Sequence, residues 1–383
     1  MSNSFATIQS IAASTFRSTR DNSTTVEKDE NGRLVLAGDA FEEASYPKYS
    51  PTWDTTEHYE PLTLFEFVDP GTRADPAFPN LLSNDNESLK VKRSTPRFGS
   101  EVRGVQLSQS SDAGKDELAL LVAQRGVVVF RDQDLADLPV EDALKFSSHF
   151  GRNHIHPTSG APKGFPEVHL VYRSKNDSVY DSFFQEHISS IAWHSDVTYE
   201  LQPPGTTFLG MLDGPETGGD TIFADSVEAY NRSSPKFREI LSGLEVLHSG
   251  VAQAQSSRAQ GGIVRRDPVE TFHPSIRQHP VTKQKAIYVN PQFSRYIKGL
   301  KREESDAILN FIYDFISKSA DIQVRASWEP KTVVVWDNRR TLHSASLDWA
   351  SGERRHAFRL TPQAERPTED WDEAKKNAKE EIN

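Results

Sequence analysis

The chain has 383 residues, 36% of them hydrophobic, enough for one large core or for a core with a sizeable extension, and too apolar for disorder throughout. Its 55 acidic against 44 basic side chains give a formal charge of −11, the wrong sign for a nucleic-acid binder that works by neutralising phosphates. There is no cysteine, which excludes disulfide frameworks, iron–sulfur clusters, thiolate zinc sites and a cysteine nucleophile, so any metal must sit on histidine and carboxylate.

No stretch approaches the roughly 18 consecutive apolar residues of a membrane span, and the N-terminus has no basic segment ahead of a long apolar run. The expectation is a soluble, cytoplasmic protein with neither membrane nor nucleic acid as partner; homo-oligomerisation is left open. Residues 1–95 are polar, with scattered Pro and Gly and aromatics such as Tyr46, Tyr49, Trp53, Tyr59, Phe65 and Phe67. They predict an extension, disordered at first and then laid over the main domain through those rings. From Phe98 the texture changes. Leu118 to Gln124 has helical spacing, and Gly126 to Arg131 is a β-branched run of buried-strand length. Val140 to Phe150 predicts an amphipathic helix, and after Gly151 short strands and Gly/Pro turns dominate, with one more helix at Glu303 to Lys318 and a clear late strand at Thr332 to Trp336. Many short strands with helices at the flanks predict a mainly β sandwich or jelly roll over residues 96–362, followed by a charged tail at 363–383.

The sharpest local signal is Trp193-His194-Ser195-Asp196. On an extended strand residues i and i+2 share a face, so an imidazole and a carboxylate could meet one ion. Such a triplet also serves as a plain hydrogen-bonded pair. His343, six residues after Asp337 and just past the late strand, supplies a third candidate. Together the three have the composition of the two-His, one-carboxylate triad that holds Fe(II) on one face and leaves positions open for a cosubstrate and O2.

Further segments follow in order: Gly126 to Gln133, His154-Ile155-His156-Pro157, Trp193 to Tyr199, Gly218-Gly219-Asp220-Thr221, His279-Pro280-Val281, Val289-Asn290, Trp336-Asp337-Asn338-Arg339, and Arg355 with Arg359. In this ordered set the sequence resembles the taurine/2-oxoglutarate dioxygenase family, the Fe(II)-dependent oxygenases that include sulfonate dioxygenases, over about Phe98 to Pro362; the leading extension is similar to that of fungal relatives.

The resemblance implies a double-stranded β-helix, the jelly roll, with flanking helices. It makes His194, Asp196 and His343 the catalytic iron ligands, with 2-oxoglutarate and O2 as cosubstrates. Thr221 and Arg355 match the positions that hold the distal carboxylate of 2-oxoglutarate, and Arg359, four residues on and on the same strand face, also borders that end. For the substrate, a small organic anion, the matching positions are His156, Arg359, Val197 and Phe293, with His154 competing for the histidine role. Ser159 and Ser190 stand where the taurine enzymes carry a tyrosine and an asparagine that contact the substrate amine. An alkyl- or arylsulfonate is therefore expected over taurine. Alternatives are an aryloxyalkanoate or other carboxylate, a natural-product intermediate, a noncatalytic metal-binding jelly roll, and a zinc hydrolase on the same ligands.

Overall fold

The computed structural model describes residues 26–36, 44–174, 183–185, 187–349 and 353–371. The first 25 residues and the last twelve, where disorder and a charged tail are expected, lie outside these. Three sheets frame the interior. The strands are β1 (Lys90–Arg93), β2 (Ser100–Arg103), β3 (Val127–Phe130), β4 (His169–Arg173), β5 (Thr206–Asp213), β6 (Thr221–Asp225), β7 (Glu245–Ser249), β8 (Glu270–Pro274), β9 (Ser294–Ile297), β10 (Gln323–Ala326), β11 (Val333–Asp337), β12 (Thr341–Ala345) and β13 (Arg355–Leu360). A seven-stranded sheet runs β1-β2-β3-β11-β5-β13-β4, and two three-stranded sheets run β10-β6-β12 and β8-β7-β9. All their ladders are antiparallel except β2 with β3.

The continuous apolar runs in β3 and β11 follow from burial on both faces. Val128, Phe130, Val335, Phe208 and Phe358 pack on one side against helices α1 (Asp112–Arg125) and α2 (Val140–Ser148). Val127, Val129, Val334, Trp336 and Ala357 pack on the other against Phe223, Val324 and Ala326 of the small β10-β6-β12 sheet. That sheet's outer face, Ala224 and Leu342, meets Leu309, Ile312 and Ile316 of a long helix at Arg302–Lys318. The period of 2 thus sorts each strand into two cores. α1 starts at Ser111, whose side chain accepts from the Gly114 N–H at 3.1 Å, and ends at Gly126 with φ +74°, where a Cβ would come within 2.3 Å of the Phe98 ring.

The jelly-roll expectation requires correction, because among the described residues no sheet closes into a barrel. The large sheet ends at β1 and β4. The small sheet stops at β12, which meets the next segment only through a single bridge between His194 and His343. The chain turns away immediately afterwards, with Val197 at φ +39°, so no ladder can propagate there. The result is two sheets packed face to face between helices. Among the described residues, helices at Ser226–Arg232, Pro235–Leu241 and Val251–Ala259 escape the periodicity reading. Two are only seven residues long, and the third is mostly polar, too little for a 3.6-residue pattern to emerge. Their caps at Asp225 and Ser234 were the available signal.

Parts of the segment ahead of β1 pack onto the core. Tyr49 stacks on Phe358 with ring centroids 5.0 Å apart, Trp53 is buried, and Asp69 pairs with Arg339. Arg339 also forks onto Asp337 with bonds of 2.8 and 2.7 Å, and its Nη1 reaches Glu365 at 3.2 Å. Burial alone would raise the Asp337 carboxyl; the Arg339 charge reverses this and holds it well below the usual carboxylate range.

Buried histidines set the pH response. Burial pushes His273 down to about 3 and His356, whose Nε2–H donates to the Tyr49 carbonyl at 2.9 Å, down to about 4. Both are neutral when folded and take a proton only on unfolding. Their destabilising effect is absent above the unfolded value of about 6.5 and grows as pH falls from there to the folded values. The stability measured by urea unfolding should therefore fall between pH 6.5 and 4, by up to about 1.4 kcal/mol per pH unit for each of the two. His356→Gln, which retains a donor but cannot titrate, should flatten that slope by about one proton.

Candidate active site

His194 and His343 are joined backbone to backbone: each donates its N–H to the other's carbonyl, at 3.0 Å from His194 and 2.7 Å from His343. The bridge sets their rings 4.2 Å apart. The ring of His194 donates from Nδ1 to the Ala192 carbonyl at 2.9 Å, which leaves Nε2 as a lone pair facing Asp196 Oδ1 at 3.9 Å. His343 Nε2 lies 3.7 Å from the same oxygen. One ligand atom from each residue falls within 4.8 Å of the others. Burial lowers the pKa of His194 and, more strongly, of His343, so both present the neutral imidazole a metal requires.

Asp196 is not on a regular strand. Its N–H donates to Asn338 Oδ1 at 2.7 Å while Asn338 Nδ2 donates back to its carbonyl at 3.0 Å, so one side chain clamps the whole peptide. Val197 then takes its left-handed turn, a conformation a β-branched residue adopts only when its surroundings impose it, and turns its side chain onto the cavity wall.

The cavity beside these residues, about 720 Å³ with its open mouth, lies between the two packed sheets. Thr221, opposite Ala345 in the β6–β12 register, and Arg355 line one end. Thr221 Oγ1 and Arg355 Nε are buried with no partner among the described residues. Burial, with Arg173 and Arg359 nearby, depresses the Arg355 guanidinium to about 10, and its ring neighbour is Trp349 at 5.8 Å. Arg355 Nη2 donates to the Gly219 carbonyl at 3.2 Å, and the unpartnered Arg355 Nε and Thr221 Oγ1 can together seat one carboxylate.

His156 and Arg359 line the other end with Phe293, whereas Ser190 lines the wall where its hydroxyl accepts from the Leu347 N–H. The Nδ1 of His156 accepts from the N–H groups of Thr158 and Ser159 at 3.3 and 3.2 Å, so the ring carries its proton on Nε2. Ser159 therefore sits behind His156, its hydroxyl 2.8 Å from Nδ1, and does not reach the wall. His154 turns away to a buried pair with Glu200 and Arg266. Arg359 Nη1 donates to Asp196 Oδ1 at 2.5 Å, which leaves Oδ2 unpartnered among the described residues. Sequence reasoning missed His169 and Gln253 on the wall and the Asn338 clamp, although Asn338 lies inside a motif it singled out.

Residues 90–361 match the profile of the "Taurine catabolism dioxygenase TauD, TfdA family". The chain belongs to this family. It is an Fe(II)/2-oxoglutarate-dependent dioxygenase. It is 51% identical over 345 residues to the "Alpha-ketoglutarate-dependent sulfonate dioxygenase" of Saccharomyces cerevisiae, a match covering 90% of this chain and 84% of the relative. It is 45% identical over 347 residues to the "Alpha-ketoglutarate-dependent dioxygenase cnsP" of Penicillium expansum, covering 90% of each. Among solved structures, a taurine dioxygenase from Burkholderia xenovorans shares its fold with a TM-score of 0.59 and 29% identity, over 74% of this chain and 91% of the other.

The donor set of this dioxygenase fits a divalent iron: two neutral imidazoles and a carboxylate converge, and both ring nitrogens of His343 and Asp196 Oδ2 are buried without partners among the described residues. Because Asn338 holds Asp196 in place from outside the ligand set, Asn338→Ala should lower metal affinity about 10- to 100-fold while leaving all three ligands present. Titration with Co(II) followed by its visible spectrum reads this directly; unchanged affinity would reduce Asn338 to a turn residue.

Proposed function

We propose that the protein oxidises a small organosulfonate at the carbon bonded to sulfur, releasing sulfite and an aldehyde while 2-oxoglutarate becomes succinate and CO2. The observation that carries this reading is the presence of Arg359 and of His156, with its proton on Nε2, together on the cavity wall beside the His194, Asp196, His343 set. The yeast relative's designation as a sulfonate dioxygenase supports it.

In this reading His194, Asp196 and His343 hold Fe(II), and the metal, when bound, supplies O2 activation coupled to decarboxylation. The chain's own side chains do the rest. Arg355 and Thr221 take the distal carboxylate of 2-oxoglutarate. Arg359 and His156 take the sulfonate oxygens and aim the adjacent C–H at the metal, while Val197 and Phe293 exclude water from the tail. One oxygen atom of O2 enters succinate and the other becomes the hydroxyl of an α-hydroxysulfonate. That product collapses as its C–S bond breaks: the electron pair goes to sulfur, and the hydroxyl proton leaves as the carbonyl forms.

The wall near Ser190 offers only a small hydroxyl, already accepting from the Leu347 N–H at 3.3 Å, so an amine on the tail gains little there. Each buried methylene adds about 0.8 kcal/mol. The same reading takes residues 96–362 as the dioxygenase domain, with 1–95 as an extension and 363–383 as a tail; the burial of Tyr49 and Trp53 supports an extension that seals the core.

Sulfite and succinate should be measured across taurine, alkylsulfonates of rising length and the matched carboxylates. Longer alkylsulfonates should exceed taurine, and sulfonates should exceed carboxylates; preference for carboxylates or neutral molecules would overturn the substrate assignment and leave the dioxygenase intact. Arg355→Ala should raise the KM for 2-oxoglutarate about 10- to 150-fold with little effect on that for the sulfonate, since charge-assisted bonds are worth about 1.5–3 kcal/mol. Asp196→Ala should abolish succinate formation and metal binding together.

A further inference from the structure

We propose that His169 is a third oxyanion donor in the substrate seat, so that the site selects a singly charged tetrahedral head group whose three oxygens are shared among His156, His169 and Arg359. This deepens the sulfonate reading and rests on it.

His169 opens β4 and stands directly opposite Arg359 in the β4–β13 register. Directly paired residues project from the same sheet face with Cβ atoms about 4.5–5.5 Å apart, so the imidazole and the guanidinium enter the cavity side by side. The His169 ring also lies against that of His156, with centroids 4.3 Å apart and planes tilted by 32°, and both rings line the cavity. Three potential donors thus converge from two neighbouring strands and the His154–Pro157 segment.

The hydrogen-bond pattern separates His169 from other histidines. His154, His156, His248, His273, His279 and His356 are all buried, and each has a ring nitrogen engaged with a protein group. His169, on the cavity wall and 9% exposed, has no ring nitrogen in a hydrogen bond among the described residues, and its only ring neighbour there is His156. A ring on the cavity wall that engages no protein group through either nitrogen is free to donate to what enters the cavity.

Burial, then the neighbouring His156 and Arg359, hold His169 well below the usual histidine range, so it offers a neutral N–H. His156 is neutral for the same reason. The seat therefore has three donors but one formal positive charge, and Arg359 shares that charge with Asp196. A sulfonate gives each donor its own oxygen with a single negative charge. A carboxylate has two oxygens, and a phosphonate dianion brings charge that two neutral imidazoles do not balance.

The test uses the full chain loaded with Fe(II) and 2-oxoglutarate, with 1-hexanesulfonate, heptanoate and hexylphosphonate as probes. Binding is read by anaerobic calorimetry and turnover by sulfite release. The parent should bind hexanesulfonate most tightly. His169→Phe keeps a ring against His156 and removes the donor; it should weaken hexanesulfonate about tenfold or more, weaken heptanoate less, and leave the affinity for 2-oxoglutarate within about twofold. His169→Gln should recover part of the loss. Parent-like hexanesulfonate binding in His169→Phe, in a protein that releases sulfite normally, would overturn the proposal while leaving the sulfonate reading standing. Equal weakening of 2-oxoglutarate and hexanesulfonate would assign His169 a packing role and overturn it as well. A parent that neither binds hexanesulfonate nor releases sulfite from any sulfonate would remove both.

Discussion

The turn from Asp337 to Arg340 is the constraint on which the site depends. Asp337 ends the central strand of the large sheet and is gripped at both oxygens by Arg339, which is in turn tied to Asp69 and Glu365. A buried set of this kind is unforgiving, since removing one partner leaves an uncompensated charge at a cost of about 3–5 kcal/mol. Between the two charged residues, Asn338 reaches across to clamp the Asp196 peptide. Three residues past the turn's end, His343 forms its backbone bridge with His194. A single reversal of the chain thus fixes the carboxylate and one imidazole directly, and the second imidazole through that bridge.

The same geometry explains why the β structure stays open. A fully closed barrel would continue the ladder beyond β12 through the segment carrying His194 and Asp196. Here that segment contributes one bridge and then bends at Val197 in a strained conformation. The bend is what turns Asp196 back toward the two imidazoles. Sheet continuity and ligand convergence compete at this point, and convergence prevails. Polar atoms that a ladder or a protein partner would have satisfied are left facing the cavity.

Charge is partitioned along the cavity. Arg355 and Arg359 project from one strand, but Arg355 finds Gly219 and the Trp349 ring, whereas Arg359 lies over Trp336 and against Asp196. One guanidinium therefore serves each end, with the metal ligands between them. The neutral imidazoles at the Arg359 end add donors without adding charge. That combination suits an anion with many oxygens and little charge, and it arises from burial acting on histidines that would be readily protonated in water.

The sequence alone determined much of the scaffold. The β-branched runs at Val127 to Phe130 and Val333 to Trp336 can be buried strands because no polar residue interrupts either face, and the helices at Val140 and Glu303 carry their own periodicity, whereas the one at Leu118 is buried all round over residues 118–123. The absence of cysteine restricted any metal to histidine and carboxylate, and the ordered motifs pointed to His194, Asp196 and His343. Tertiary structure decided the remainder. Asn338 and Asp196 meet across 142 positions, and neither spacing nor residue type announces that clamp. His169 looks like any strand histidine until pairing places it beside Arg359, and Ser159 looks like a wall residue until its hydroxyl is found behind His156. Local sequence encodes period and propensity. Which face meets which, and which polar atoms are left without a partner, is fixed only when distant strands pack.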